Sequence, residues 1–440
     1  MFSLMSRVLA AAAVVTTAGL VPAGFGVPGA VAPAGWEPPV GLSQPGLGVV
    51  ASQAVVSPLG DQAVVWVRGG EVRVALRPAG DTWARAVTIG SDAGSAVAAY
   101  DIAGRLMVVW AQHPDGAPAS IQARTLGPAG AWGDPAVVAQ RDTGALAVSD
   151  LAVNGAGEAV LAWQRNARGL VARGTFDGGW ATTLRVPHAG RMKVSVGDGG
   201  LAAVVAQQIV TSADDGLRLT WVVVRQQRGS AWGDPTVLQR LRGFGPPAPG
   251  LGGVFVDRDN RTTVAWDARR PDGGWAVTTL RARGVGAWHA PHVLSRQRSL
   301  SEFPILVTGT QPGRVLVTFA GPRSASVLTA RWNPSSGWSG TAAVTGAASY
   351  VNDWSVAMEP SGRAVLVWTR SAGPGSAGQG VRAALLAADG TWSAPVWLSR
   401  EETPDGHARF AAMADGTALA VWSEVTTGRK VALMARSHVG

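Results

Sequence analysis

An all-β fold built from a short internal repeat is what this sequence predicts, on three observations. Tryptophan-marked strings return roughly every fifty residues along the chain. Short runs rich in Val, Thr and Trp are separated every ten to twelve residues, roughly, by Asp/Asn/Gly turn signals, the pattern of hairpins rather than helices. The composition agrees: 58 Gly and 27 Pro supply turn residues, Glu is sparse, and 47% hydrophobic against 15% charged residues excludes a disordered chain. No helical periodicity survives past the N-terminal segment.

The repeat contains two aromatic slots. The first closes a small-apolar run: Val65-Trp66, Val109-Trp110, Ala162-Trp163, Ala265-Trp266, Thr318-Phe319, Val367-Trp368 and Val421-Trp422, with a degenerate copy at Val205-Ala206. The second is Gly-x-Trp-x-x-Pro-like and holds Trp36, Trp83, Trp132, Trp180, Trp232, Trp288, Trp338 and Trp392, five of them followed three residues later by Pro39, Pro135, Pro235, Pro291 or Pro395. Together the slots take fourteen of the nineteen tryptophans, so the rings are expected to pack between successive sheets rather than to stack on ligands.

Each unit parses into four strands. In the second, Ala96–Tyr100, Arg105–Trp110, Ser120–Leu126 and Trp132–Ala139 are expected as strands A to D, with Asp101–Gly104 as the A–B turn. The chain after residue 34 opens on a lone D strand (36–42) and closes on A, B and C strands (407–413, 418–422, 429–435) without a D. Joined, these ends make one complete blade, the device by which a β-propeller seals its ring. The expectation is a single domain, residues 35–440, folded as an eight-bladed propeller of four-stranded antiparallel blades closed by the N-terminal strand. Seven blades are the alternative, because the fourth unit is the weakest copy.

The N-terminus carries Arg7, an Ala/Val-rich run over residues 8–21 and Ala32-Pro33-Ala34, which together read as a cleavable signal peptide over residues 1–34 and place the protein outside the cell or at its envelope. A second cut could fall at Val21-Pro22-Ala23. The net charge is +9, but the basic residues are scattered singly, with Lys193 and Lys430 the two lysines among 38 basic residues. That distribution reads as base composition rather than a phosphate-binding face, so no nucleic-acid partner is expected. Cysteine is absent, which removes thiol catalysis, disulfides and cysteine metal sites. A monomer without cofactor, metal or membrane span is expected.

The Gly-x-Trp strand, its preceding Asp/Gly turn and the following Pro resemble sialidase-like (Asp-box) secreted propellers of actinobacterial type, and less closely bacterial propeller lectins. The nearest strings, Asp177-Gly-Gly-Trp180, Asp272-Gly-Gly-Trp275 and Asp389-Gly-Thr-Trp392, are shorter than an Asp-box. A sialidase site implies an arginine triad and a Tyr/Glu pair. Here only Tyr100 and Tyr350 are tyrosines, and Glu302-Phe303-Pro304-Ile305 lacks the arginine of the family's early strand.

Two strings imitate metal sites. His289 and His292, three apart on a strand, are expected on opposite faces and unable to share an ion. Asp257-Arg258-Asp259-Asn260 falls in the A–B turn slot and reads as turn chemistry rather than a calcium loop. No Gly-x-Ser-x-Gly, phosphate-binding glycine loop or His-Glu-x-x-His occurs.

Ligand binding is expected on the face formed by B–C and D–A connections, enlarged here by a B–C loop at 207–217 and a crossover at 240–252. Arg240, Arg242, Arg269, Arg270, Arg296 and Arg298 are candidates for an anionic-ligand pocket there, with Asp267 and Glu302 as partners. The expected function is a secreted, non-catalytic propeller binding a glycan, polymer or protein. The alternatives are a sialidase-like hydrolase or lyase using Asp353, Glu401, Glu402 or Asp405, and a structural scaffold.

Overall fold

A computed structural model describes residues 35–439 apart from 47–48, 142–143, 213–215, 243–251, 298–304, 311–312, 322–325, 346–349, 372–379, 400–406, 415 and 427–429. Residues 1–34, read above as a signal peptide, lie outside the described residues. The fold is the expected one, an all-β ring of eight antiparallel blades. Blade 1 runs over Val50–Val56, Gln62–Arg68, Glu71–Arg77 and Val87–Gly90; blade 2 over Ala93–Tyr100, Leu106–Gln112, Ala119–Leu126 and Ala136–Arg141. Blades 3 and 4 occupy 146–187 and 189–241. In blade 5 the strands are Gly253–Val256, Arg261–Arg269, Trp275–Arg283 and His292–Gln297. Blade 6 has Leu306–Gly309, Val315–Ala320 and Val327–Asn333, with an outer strand split into Gly337–Trp338 and Ala342–Ala343. Blade 7 covers 350–397. Among the described residues there is no helix.

Ring closure takes the form read from the two ends. Val40 and Gly41 pair with Ala435 and Met434, and Trp36 bridges His438. His407–Ala414, Thr417–Thr426 and Lys430–Val439 complete blade 8. The Trp36 ring is buried and meets the His438 imidazole edge-on at 5.3 Å.

The turn chemistry is uniform. All eight A–B turns place one residue in the left-handed region, Gly at 60, 104, 157, 200, 313, 362 and 416, and Asn260 in blade 5 with φ 58°. That backbone disfavours any Cβ except that of Asn or Asp, which explains the single exchange. The first residue of the turn caps it: Asp101 Oδ1 accepts from the N–H groups of Ala103 and Arg105, Asn154 Oδ1 from Ala156 and Glu158, and Asp257 Oδ1 from Asp259 and Arg261. The Asp257–Asn260 string is therefore a capped turn.

The outer strands differ from the sequence expectation. In blade 2 strand D begins at Ala136, and Trp132 makes only an isolated bridge to Leu126. Trp36, Trp288 and Trp392 repeat this arrangement. In the units that carry it, the proline three residues on has no N–H to give the ladder, so strand D resumes only after it. The expected loop at 207–217 is likewise mostly strand, because Ala202–Ser212 and Gly216–Gln226 continue as one long hairpin.

Packing follows the first aromatic slot. Each ring turns toward the preceding blade: Trp66 meets Val421, Leu433 and Ala435 of blade 8, Trp110 meets blade 1, and Phe319 meets blade 5. Blade 4, with Ala206 in the slot, fills the space with Met192, whose Sδ would lie 2.5 Å from a Cβ on Gly169 of blade 3. Its displaced indole, Trp221, sits one strand over and packs against Trp275 at the next seam. An Ala for Trp exchange is tolerated because a flexible thioether adapts to the leftover volume.

The scattered arginines have a structural use that sequence reading missed. Every third strand carries one: Arg73, Arg124, Arg173, Arg225, Arg281, Arg331, Arg382 and Arg436. Several latch blades together. Arg225 of blade 4 donates to the carbonyls of Gly284 and Gly286 in blade 5, both at 2.7 Å, and lies 4.1 Å over the Trp288 ring. Arg173 of blade 3 reaches Gly200 O of blade 4 at 3.0 Å, while Arg228 of blade 4 returns to Glu158 of blade 3 at 2.7 Å.

Glu158 thus receives two guanidinium groups. Burial works to raise its pKa, but the hydrogen bond from Arg228 and the charges of Arg173 and Arg228 outweigh it and hold the carboxyl below the usual range. Its contribution is present above the ordinary carboxylate pKa and lost as pH falls through the depressed value. Glu158→Gln is expected to lower stability by about 1–3 kcal/mol at pH 7, a difference that shrinks toward pH 3; urea unfolding at both pH values checks it.

Candidate functional site

The structure brings some of the expected arginines together and separates others. Arg240 and Arg296 stand near the ends of the outer strands of blades 4 and 5, and Arg269 ends the second strand of blade 5. Gln239 joins the two blades by accepting from the Arg269 N–H at 3.1 Å and donating to its carbonyl at 3.4 Å. Arg240, Arg242, Arg269 and Arg296 are exposed. Arg270 instead closes its own turn, donating its N–H to Gly274 O and pairing with Asp272 at 2.6 Å. Arg298 and Glu302 lie outside the described residues, as do Glu401, Glu402 and Asp405. Asp353 stands on the first strand of blade 7.

Asp267 does not join the arginines. It follows Trp266, which faces blade 4, so strand alternation turns Asp267 to the opposite seam, beside Val277 against blade 6. It is 2% exposed, its Oδ2 has no hydrogen-bond partner among the described residues, and burial pushes its pKa up to about 7.

A half-open cavity of about 480 Å³ lies on the outer wall of the same seam. Blade 5 supplies Arg281 and Arg283 from its third strand and His289 and His292 from the approach to its fourth; blade 6 supplies Trp332, Pro334 and Trp338 from its C–D hairpin. The two histidines share this cavity, contrary to the opposite-face expectation. Strand D starts only at His292, after Pro291, so alternation does not reach back to His289.

Ring contacts and hydrogen bonds fix these polar side chains. Trp332 and Trp338 are cross-strand partners with rings at 65° and 5.6 Å between centroids. The Arg281 guanidinium lies 3.9 Å from the Trp332 centroid, and its Nε donates to Thr263 Oγ1 at 3.0 Å. The His292 ring stacks parallel to Trp338, at 6.1 Å and 8°. His289 is placed by its backbone N–H, which donates to Arg281 O at 2.8 Å, while neighbouring Trp288 turns away to Thr236 of blade 4.

Charge is unevenly compensated. Arg261, at the floor, pairs with Asp259 at 3.0 Å. Arg281 has no carboxylate within ion-pair distance among the described residues, and burial pushes its pKa down to about 10, so it stays cationic at neutral pH while half desolvated. Arg283 is exposed and makes no ion pair among the described residues. Among the described residues no Asp or Glu lines the cavity, and no group of three His, Cys, Asp or Glu could hold a metal.

No family model and no curated protein matches the chain. Among solved structures it is similar to a Hadza microbial sialidase, at 12% identity over 87% of this chain and 74% of that one, with a TM-score of 0.38. It is also similar to polysaccharide lyase Uly1, at 9% identity, 91% of each chain and a TM-score of 0.48. For puromycin hydrolase the identity is 14%, 87% of this chain matches 59% of that one, and the TM-score is 0.48. Likeness of this order reaches no further than the fold, and function has to come from the site.

Sequence reading picked out His289 and His292 but missed Arg281, Arg283 and Trp332. Trp332 was the available signal, since it falls outside both repeat slots.

Proposed function

We propose that the protein is a secreted, non-catalytic binding propeller whose ligand is a glycan held on the outer wall between blades 5 and 6. The observation that carries this reading is the lining of the cavity: indole walls at Trp332 and Trp338, several fixed donors and, among the described residues, no carboxylate. Apolar walls with a few placed polar groups suit a sugar ring, which has an apolar face and a hydroxyl rim. Glycoside hydrolysis needs two carboxylates about 5–10 Å apart, and nothing at this cavity supports that chemistry. Export fits the N-terminal segment.

Glycan-array binding by the purified protein tests it. Hits are expected, and Trp338→Ala should weaken them about tenfold by removing the ring on which His292 rests. A blank array, or hits indifferent to Trp338→Ala and Trp332→Ala alike, would overturn the reading, and so would cleavage of a bound glycan.

A further inference from the structure

We infer that this cavity selects an anionic saccharide, recognising a carboxylate or sulfate group through Arg281 and Arg283. The inference rests on the glycan-binding reading above and adds the ligand's charge. A guanidinium held half out of water is unfavourable unless acceptors complete its hydrogen bonds, and an anion does so most strongly. Most of the inter-blade guanidinia find such completion inside the protein: Arg173 in Glu158 and Gly200 O, Arg225 in two blade 5 carbonyls. Arg281 differs. Its Nε is satisfied by Thr263 and one face by Trp332, yet among the described residues no carboxylate lies within ion-pair distance, Asp257 acting on it only through space, and it borders open cavity.

The surroundings point the same way. Arg283 and the imidazoles of His289 and His292 add donors on the same wall. The acids of the seam are engaged elsewhere: Asp257 caps its turn, Asp259 pairs with Arg261, and Asp267 is buried beside Val277. Both faces of the site that could stack a neutral sugar are partly taken, Trp332 by Arg281 and Trp338 by His292. What the cavity leaves free is positive charge on a rigid support, which fits a fixed anion on a ring better than an uncharged ring.

Calorimetric titration of the full protein with polygalacturonate oligomers, sulfated dextran oligomers and unmodified dextran oligomers of matched length tests the inference and separates carboxylate from sulfate. The expected result is binding to at least one acidic series, none to dextran, and a loss of about tenfold in Arg283→Gln. Arg283 is exposed, so this variant should keep the wild-type melting temperature; Arg281→Gln should lose binding further but also loosen Trp332. Equal affinity for dextran would overturn the charge inference and leave the glycan reading standing. Acidic binding that survives Arg283→Gln and Arg281→Gln but disappears in an Arg240→Gln/Arg269→Gln/Arg296→Gln variant would move the ligand to the opposite rim and overturn the assignment to this cavity. Silence with all three series would overturn the charge inference, and the glycan array then decides separately whether the glycan reading stands.

Discussion

Replacing Asp267 with Asn is expected to remove a contribution by which the wild-type protein loses about 4 kcal/mol of stability between pH 4 and pH 8. The carboxyl is 2% exposed, with Oδ2 unpartnered among the described residues, and its pKa is about 7 in the fold against an ordinary 3.8. Below the ordinary value both folded and unfolded states are protonated, and the group contributes nothing. Between the two values the unfolded chain releases the proton that the folded chain keeps, so stability falls by about 1.4 kcal/mol per pH unit. Above pH 7 both states are ionised and the full penalty remains. Asn cannot ionise and should give a flatter profile, more stable than wild type at pH 8 and level with it or slightly below at pH 4. Urea unfolding of both proteins across this range decides the matter, since every other titrating group cancels in the difference. Parallel profiles would mean that water or a cation reaches the carboxylate.

The second large effect concerns the seam between blade 1 and blade 8. Trp66→Ala should destabilise the protein by about 3–5 kcal/mol, because the ring is fully buried against blade 8 and its removal leaves a cavity that rigid sheets cannot close. Trp66→Phe should lose much less. The Trp66 Nε1 has no hydrogen-bond partner among the described residues, and Phe319 fills the equivalent slot in blade 6 while 1% exposed. Denaturant midpoints at an unchanged slope measure both. A Phe variant as damaged as the Ala variant would show that the indole nitrogen contributes more than packing does.

Legibility in the sequence followed the range of the interactions. The aromatic slots, the glycine-marked A–B turns and the split eighth blade were all readable, because each is dictated by residues near one another or repeated at a fixed period. Strand D was read as starting too early because Trp132 bridges Leu126 alone before Pro135 interrupts the ladder. The longer misreading was at 207–217, where polar residues suggested a loop although Ile209, Val210 and Thr211 carry the hairpin onward. At the candidate site His289 and His292 were noticed and then set aside, on an alternation rule that holds only inside a strand.

The sequence by itself determined the class and the way the ring closes and favoured eight blades over seven, since these follow from local turn chemistry, strand propensity and the repeat period. Only the tertiary structure decided which faces of neighbouring blades meet. That pairing set Arg281 of one blade on Trp332 of the next and His292 on Trp338, sent Asp267 into a dry seam away from the arginines expected to hold it, and made inter-blade latches of Arg173, Arg225 and Arg436. Contacts across a seam join residues some fifty positions apart, and their geometry depends on sheet twist and blade spacing, which no local pattern encodes.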